Sequence, residues 1–318
     1  MNTARCGTLL LFFVLILFPA RFLQAQKKDK KLEAQIALLL QGFNGEAGVF
    51  VKDLRSGRIA SIHADTLFPT ASMVKIPILI GIMNKIDAEE LQYHQQMIYQ
   101  DSLLYPGIDI LGSFKSGEKI ELSKLLMLML TMSDNTASLW LQALAGGGMK
   151  INPLLDSMGF KNTRVNSRTP GRTEDRAIYG WGQSTPAEMA GLMEKIYHGD
   201  LPLKKHSTEQ MLRLLGRDYW DEVAISQIPP YVFVASKNGA VDHSRSETIL
   251  AMAPHGPYIF SIMTKNLKDT SWAQGNEGWI LARKLSRLLW NYYEPRSGWK
   301  PSMSVEGLIG KNGQLADE

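Results

Sequence analysis

The sequence predicts an α+β fold, an α/β arrangement in which a five-stranded antiparallel sheet is flanked by terminal helices and a mostly helical second domain is inserted. Three observations carry this. A hairpin pattern stands near the start, three short β runs stand near the end, and helical periodicity fills most of the chain between them. The length of 318 residues suits two units, and the 45% hydrophobic content is enough for a buried core.

Met1 to Gln26 stands outside this fold. Arg5 is followed by the apolar run Leu9–Phe18, then Pro19-Ala20 and a small residue at Ala25. That is the pattern of a secretory signal over residues 1–25, and the run is shorter than the ~20 apolar residues of a membrane span. Cleavage would remove Cys6, the only cysteine, and the mature chain would have no disulfide and no thiolate chemistry. Export to a bacterial periplasm or the extracellular space follows, without stable membrane insertion after cleavage. The net charge of +4 comes from 35 basic and 31 acidic residues, and it falls by two with Arg5 and Arg21. No basic run marks a nucleic-acid site, and the expected state is a monomer acting on a small-molecule substrate.

The elements follow in order. Lys31–Leu40 has helical spacing stopped by Gly42. Ala47–Leu54 and Ile59–His63 are strands around the turn Arg55-Ser56-Gly57-Arg58. Met73–Ile86, Ser123–Met132 and Thr136–Leu144 are helices, the last stopped by Gly146-Gly147-Gly148. Pro186–Tyr197 is an amphipathic helix entered through Ser184-Thr185-Pro186, with proline in the first turn. Arg164–Gln183 shows no period and is expected to be a long functional loop. Tyr231–Ser236, Ser246–Met252 and Tyr258–Thr264 are strands, and Trp279–Tyr292 is the last helix. The expected organisation is an α/β unit of 26–70 and 215–293, a helical unit of 71–214, and a tail of 294–318.

Several chemistries are absent from the sequence. The six histidines show no metal-ligand spacing, and there is no H-E-x-x-H, G-x-S-x-G or phosphate-cradling glycine loop. No metal or organic cofactor is implied. Two serines have a lysine three residues on, Ser72-Met73-Val74-Lys75 and Ser116-Gly117-Glu118-Lys119. By spacing the two are equal, since either lysine can reach its serine along a helix face. Context separates them. Ser116 sits in a polar turn, whereas Lys75 is flanked by apolar residues that disfavour its ammonium and make a neutral amine accessible as a base. Ser72 also stands at a helix start, where free N–H groups favour negative charge. The bland alternative is a helix cap followed by an ordinary lysine.

Ser133-Asp134-Asn135 lies between two helices, either as a capping turn or as a hydroxyl, carboxylate and amide facing a cleft. Lys237-Asn238-Gly239 follows a strand, where glycine lets the backbone approach a ligand; Lys311-Asn312-Gly313 is read as an inert copy in the tail.

Together, in this order, the three motifs resemble the S-x-x-K, S-D-N and K-T-G set of class A β-lactamases and penicillin-recognising serine hydrolases. The similarity extends through Thr131–Ala137, Leu155–Gly159 and Thr185–Met189, and over roughly 32–292. The resemblance implies that Ser72 is the acylated nucleophile and Lys75 its base. It implies that Ser133 passes a proton to the leaving nitrogen, and that the backbone N–H groups of Ser72 and Ala240 form the oxyanion hole. Asn135, Lys237, Asn238, Gly239 and Arg245 would bind substrate, with Arg245 as a second carboxylate anchor. Asp134 would be structural.

Two departures matter. Asn238 stands where the family has Thr or Ser. The glutamate that activates the deacylating water in class A enzymes falls on Thr169, and threonine is no general base near neutral pH. Glu174 and Asp175 are the only acids in that loop, and Glu174 is the candidate replacement. Three functions follow: a β-lactamase with impaired or rebuilt deacylation, an amidase or peptidase of the same fold acting on a peptidoglycan-like substrate, or a slow-turnover β-lactam sensor or sink.

Overall fold

The structure is a computed structural model that describes residues 27–302 except 108. The signal segment, Cys6 and the Lys311-Asn312-Gly313 copy lie outside the described residues. Among the described residues no helix is long and apolar enough to cross a membrane.

Helix α1 (Lys30–Leu39) starts where Asp29 accepts the Leu32 N–H at 3.1 Å. Strands β1 (Glu46–Asp53) and β2 (Ile59–Ile62) form the expected hairpin. Short strand β3 (Phe68–Pro69) leads into a 3₁₀ turn, Ala71–Val74, and then α2 (Lys75–Asp87). The sequence predicts one continuous helix here; the tighter first turn is entered through Ala71 at φ 43°, a conformation that is costly for a residue with a side chain. Helix α2 is buried from Lys75 to Met83, so it is apolar all round and central.

A hairpin of β4 (Gln96–Ile98) and β5 (Lys119–Glu121) precedes α3 (Leu122–Met127). The predicted helix over Ser123–Met132 is two pieces, because Leu128–Met132 widens into a π turn that ends at Ser133 in the left-handed region. Helices α4 (Asn135–Leu144) and α5 (Gly148–Ser157) follow. The stretch Arg164–Gln183, predicted to be an irregular loop, contains β6 (Arg164–Val165), α6 (Thr173–Tyr179) and the start of β7 (Gly182–Ser184). Helix α6 buries no residue, so it leaves no apolar period to read. Helices α7 (Pro186–His198) and α8 (Lys205–Leu215) complete the helical block.

The chain then returns to the sheet through β8 (Val234–Val241), β9 (Ser244–Ala251) and β10 (Tyr258–Lys265), and closes with α9 (Glu277–Tyr293). The sheet is antiparallel in the order β2-β1-β10-β9-β8. Helix α7 packs against β1, β9 and β10, while α1 and α9 pack together over the sheet. The predicted strand Tyr231–Ser236 is displaced: β8 runs from Val234 to Val241, so Lys237-Asn238-Gly239 lies within it. Asparagine and glycine are weak strand formers, but pairing with β9 holds them extended. Strand β8 ends the sheet, and its outer edge faces the Ser72 turn.

Candidate active site

Four pieces of chain meet at Ser72. They are the 3₁₀ turn that carries it, the first residue of α2, the turn from Ser133 into α4, and the edge of β8. Each is held by local chemistry. Asp134 is buried and caps α4 by accepting the Ala137 N–H at 2.7 Å, and its other oxygen accepts the Leu111 N–H at 3.1 Å. This fixes Ser133 and Asn135 on either side of it. Gly239 has no room for a side chain: a Cβ there would come within 2.9 Å of the Ser72 nitrogen and closer still to the Thr70 carbonyl. The edge strand and the serine turn therefore touch backbone to backbone.

Lys75 is fully buried, and its Nζ faces four oxygens. These are Ser72 Oγ at 3.0 Å, Ser133 Oγ at 2.9 Å, the Ser133 carbonyl at 2.6 Å and Asn135 Oδ1 at 3.0 Å. Burial, reinforced by the charge of Lys237, pushes the amine well below its ordinary value of 10.5. A neutral amine fits this cage. Its two N–H groups satisfy the two obligate acceptors, the Ser133 carbonyl and Asn135 Oδ1, and its lone pair faces a serine O–H. Ser116, by contrast, sits in an exposed turn, where its hydroxyl accepts the Asp101 N–H at 3.0 Å.

Ser72, Asn135 and Ala240 lie on the walls of two cavities. One, of 660 Å³, is lined on its far side by Tyr105, Ile178, Trp181 and Lys265. The other, of 500 Å³, is lined by Ser133, Asn238, Glu247, Trp220 and Trp272. A reacting group at Ser72 thus has space on both sides.

Not every residue singled out in the sequence is brought to Ser72. Arg245 reaches the wall of the second cavity, but its guanidinium donates to the Val241 carbonyl, to Ser244 O at 3.0 Å and to Ser271 O at 2.7 Å. It packs against both Trp272 and Trp279, 4.5 and 4.8 Å from their ring centres, while those two rings meet edge to face. Glu174 is exposed on α6, Asp175 pairs with Arg172 at 3.0 Å, and neither lines a cavity at Ser72. Thr169 is buried and donates its hydroxyl to the Ser167 carbonyl at 3.0 Å. The surrounding loop is stapled by Asn152 to both backbone groups of Val165, by Gln142 to Ser167, and by Arg172 to Asn166 and Gln183.

Two acids escaped the sequence reading, one buried, Glu247, and one half-buried, Asp218. Glu247 lies directly across from Asn238 in the β8–β9 pair. Asp218 accepts the Ser236 hydroxyl at 3.1 Å, and its charge acts on Lys237. The available signal for Glu247 was an acid inside an apolar strand run.

Fold and site together define a serine hydrolase that acts on amide bonds. A family model described as the β-lactamase enzyme family matches residues 31–293, and the chain belongs to that family. Among solved structures, PBP-A is 24% identical, with 85% of this chain and 98% of that chain covered and a TM-score of 0.75. A β-lactamase from Sphaerobacter thermophilus is 21% identical over 84% and 98%, with a TM-score of 0.74. One from Chitinophaga pinensis is 18% identical over 82% and 99%, with a TM-score of 0.73. At these identities the likeness establishes the fold, that of class A β-lactamases.

Proposed function

We propose that the protein is an exported hydrolase that opens an amide, cyclic in a β-lactam, by forming a long-lived acyl-enzyme on Ser72. The neutral Lys75 amine takes the proton of Ser72 Oγ as that oxygen attacks the carbonyl. The resulting oxyanion is held by the backbone N–H groups of Ser72 and Ala240. Ser133 Oγ gives a proton to the departing nitrogen as the C–N bond breaks and is reprotonated from Lys75. An ester on Ser72 and a free amine remain.

The observation that carries this reading is the cage of four oxygens around Lys75 Nζ, which links both hydroxyls to one buried base. Slow release follows from the loop. Glu174 is exposed, and the Thr169 hydroxyl is engaged with a carbonyl, so neither supplies a carboxylate to activate water at the ester. A mutant of PBP-A is known as an acyl-enzyme complex with penicillin G, an adduct of the kind proposed for this chain. A second reading, a peptidase-like hydrolase of peptidoglycan-like amides, is favoured by the space on both sides of Ser72.

The test is labelling with a fluorescent penicillin on a denaturing gel, for the wild type and for Ser72→Ala. The wild type is expected to carry a covalent label and the variant none. Equal labelling of both overturns the reading.

A further inference from the structure

The two cavities at Ser72 differ in what they can receive. In the proposed mechanism Ser133 protonates the departing nitrogen, and Ser133 lines only the second cavity. Asn238, whose Oδ1 accepts from the buried Lys237 at 2.7 Å, lines only that one too. The leaving amine therefore lies on that side, and the acyl part of the substrate extends into the first cavity.

Part of the wall of the first cavity is aromatic and is tied to the nucleophile. Trp181 precedes Gly182, whose carbonyl accepts the Thr70 N–H at 2.9 Å, two residues before Ser72. The Trp181 carbonyl itself accepts the Asn166 and Ser167 N–H groups at 2.8 and 3.0 Å. Gly182 leaves no slack, since a Cβ there would come within 2.6 Å of the Val74 side chain and 2.7 Å of Thr70 Oγ1. Tyr105 meets Trp181 edge to face, with ring centres 5.1 Å apart, and its N–H donates to Thr136 Oγ1 at 3.0 Å, beside Asn135.

Ile178 extends this wall without serving the core. Helix α6 buries no residue, and Ile178 is 68% exposed, yet it lines the cavity three residues before Trp181. Val241, at the end of β8, is 46% exposed and lines it as well. A lone exposed apolar residue is ordinary, but Tyr105, Ile178, Trp181 and Val241 gathered around one cavity that reaches the nucleophile form a binding surface. The charged groups of this cavity already have protein partners. Lys265 Nζ lies 3.3 Å from Glu46 and donates to the Leu67 carbonyl at 3.2 Å, and Asp242 accepts the Trp272 indole N–H at 3.1 Å. What the cavity adds beside Ser72 is apolar contact area.

We propose that the first cavity is an acyl-group subsite in which Trp181 and Ile178 select substrates whose acyl part ends in a bulky apolar group. Such a group covers the exposed isoleucine and the aromatic pair, and the apolar surface removed from water speeds capture of that substrate over one with a small acyl group. This inference deepens the proposed function and rests on Ser72 being the acylated residue.

The experiment compares benzylpenicillin with 6-acetamidopenicillanic acid, which lacks only the phenyl ring on the acyl side. The second-order rate of adduct formation on the full chain is followed by intact-protein mass spectrometry, and each rate is divided by that compound's alkaline hydrolysis rate to remove intrinsic reactivity. Benzylpenicillin is expected to react at least fivefold faster on this scale. The ratio is expected to fall at least twofold in Trp181→Ala and in Ile178→Ser; a general disturbance of the site slows both compounds and cancels in the ratio. Ile178→Ser changes an exposed residue of a helix with no buried face, so it tests the subsite even if Trp181→Ala does not fold. A wild-type ratio below fivefold overturns the proposal while leaving the Ser72 reading intact, and so does a ratio unchanged in both variants. No adduct from either compound overturns both readings.

Discussion

The backbone of Gly239 lies against that of Ser72 so closely that one added carbon would come within 2.9 Å of the Ser72 nitrogen. Positions of the nucleophile and of the β8 edge are therefore not independent. Gly239→Ala is expected to cost about 1–3 kcal/mol of stability through overpacking. It is also expected to lower the rate of Ser72 acylation at least tenfold, because the two oxyanion donors move apart. Thermal unfolding and labelling rates check this; unchanged acylation would separate the two elements.

In the proposed mechanism Lys75 acts through its lone pair, not its charge. Lys75→Arg keeps the charge without the neutral form, and acylation is expected to fall at least 10²-fold. In the wild type the neutral amine is the active form, so the acylation rate rises with pH as Lys75 loses its proton. Burial holds that group well below 10.5, so the rise is expected to be complete well before an ordinary lysine titrates. A rate still rising towards pH 10.5 would contradict a desolvated base.

The loop acids are expected to be spectators. Glu174→Gln alters an exposed carboxylate, and Thr169→Ala removes a hydroxyl already given to Ser167. Both variants should keep the acyl-enzyme lifetime within about twofold, since neither group is a base for the deacylating water. A tenfold longer lifetime in Glu174→Gln would show that α6 moves and supplies the acid.

Glu247 should mark the pH dependence of stability. Its carboxyl is raised from 4.5 to about 8 in the folded chain, so the native state holds a proton that the unfolded chain releases. The stabilisation is fully present below 4.5 and is lost as pH rises through about 8. Compared with Glu247→Gln, the wild type is expected to lose stability progressively across that window. Denaturant midpoints measured over the window check it; parallel curves would mean that Glu247 is ionised throughout.

Much of this was legible in the sequence, for identifiable reasons. The strands and terminal helices announced themselves because they are buried on period, as Val49, Val51 and Leu285 are, or lie in a continuous apolar run, as Phe260 does. The motifs at Ser72, Ser133 and Lys237 were legible as motifs because the roles proposed for them need particular residue types at fixed spacings. What stayed hidden depends on tertiary contact. The left-handed turn at Ser133 is set by packing and by Asp134, not by local propensity. Helix α6 has no buried face. Arg245 is expected from sequence to be a second carboxylate anchor, but it packs against two tryptophans and donates to backbone carbonyls. Glu247 was not singled out in the sequence, because nothing local shows that both faces of β9 are covered.

The central claim is acylation of Ser72 without efficient release. The most direct measurement is intact-protein mass spectrometry over time after mixing with benzylpenicillin, with free drug assayed in parallel. The expected result is a single adduct, mapped to the Ser72 peptide, that persists after drug hydrolysis has stopped at about one equivalent. Rapid hydrolysis of many equivalents with no accumulated adduct would contradict it, and would require a deacylating base at the cleft that neither Thr169 nor Glu174 provides.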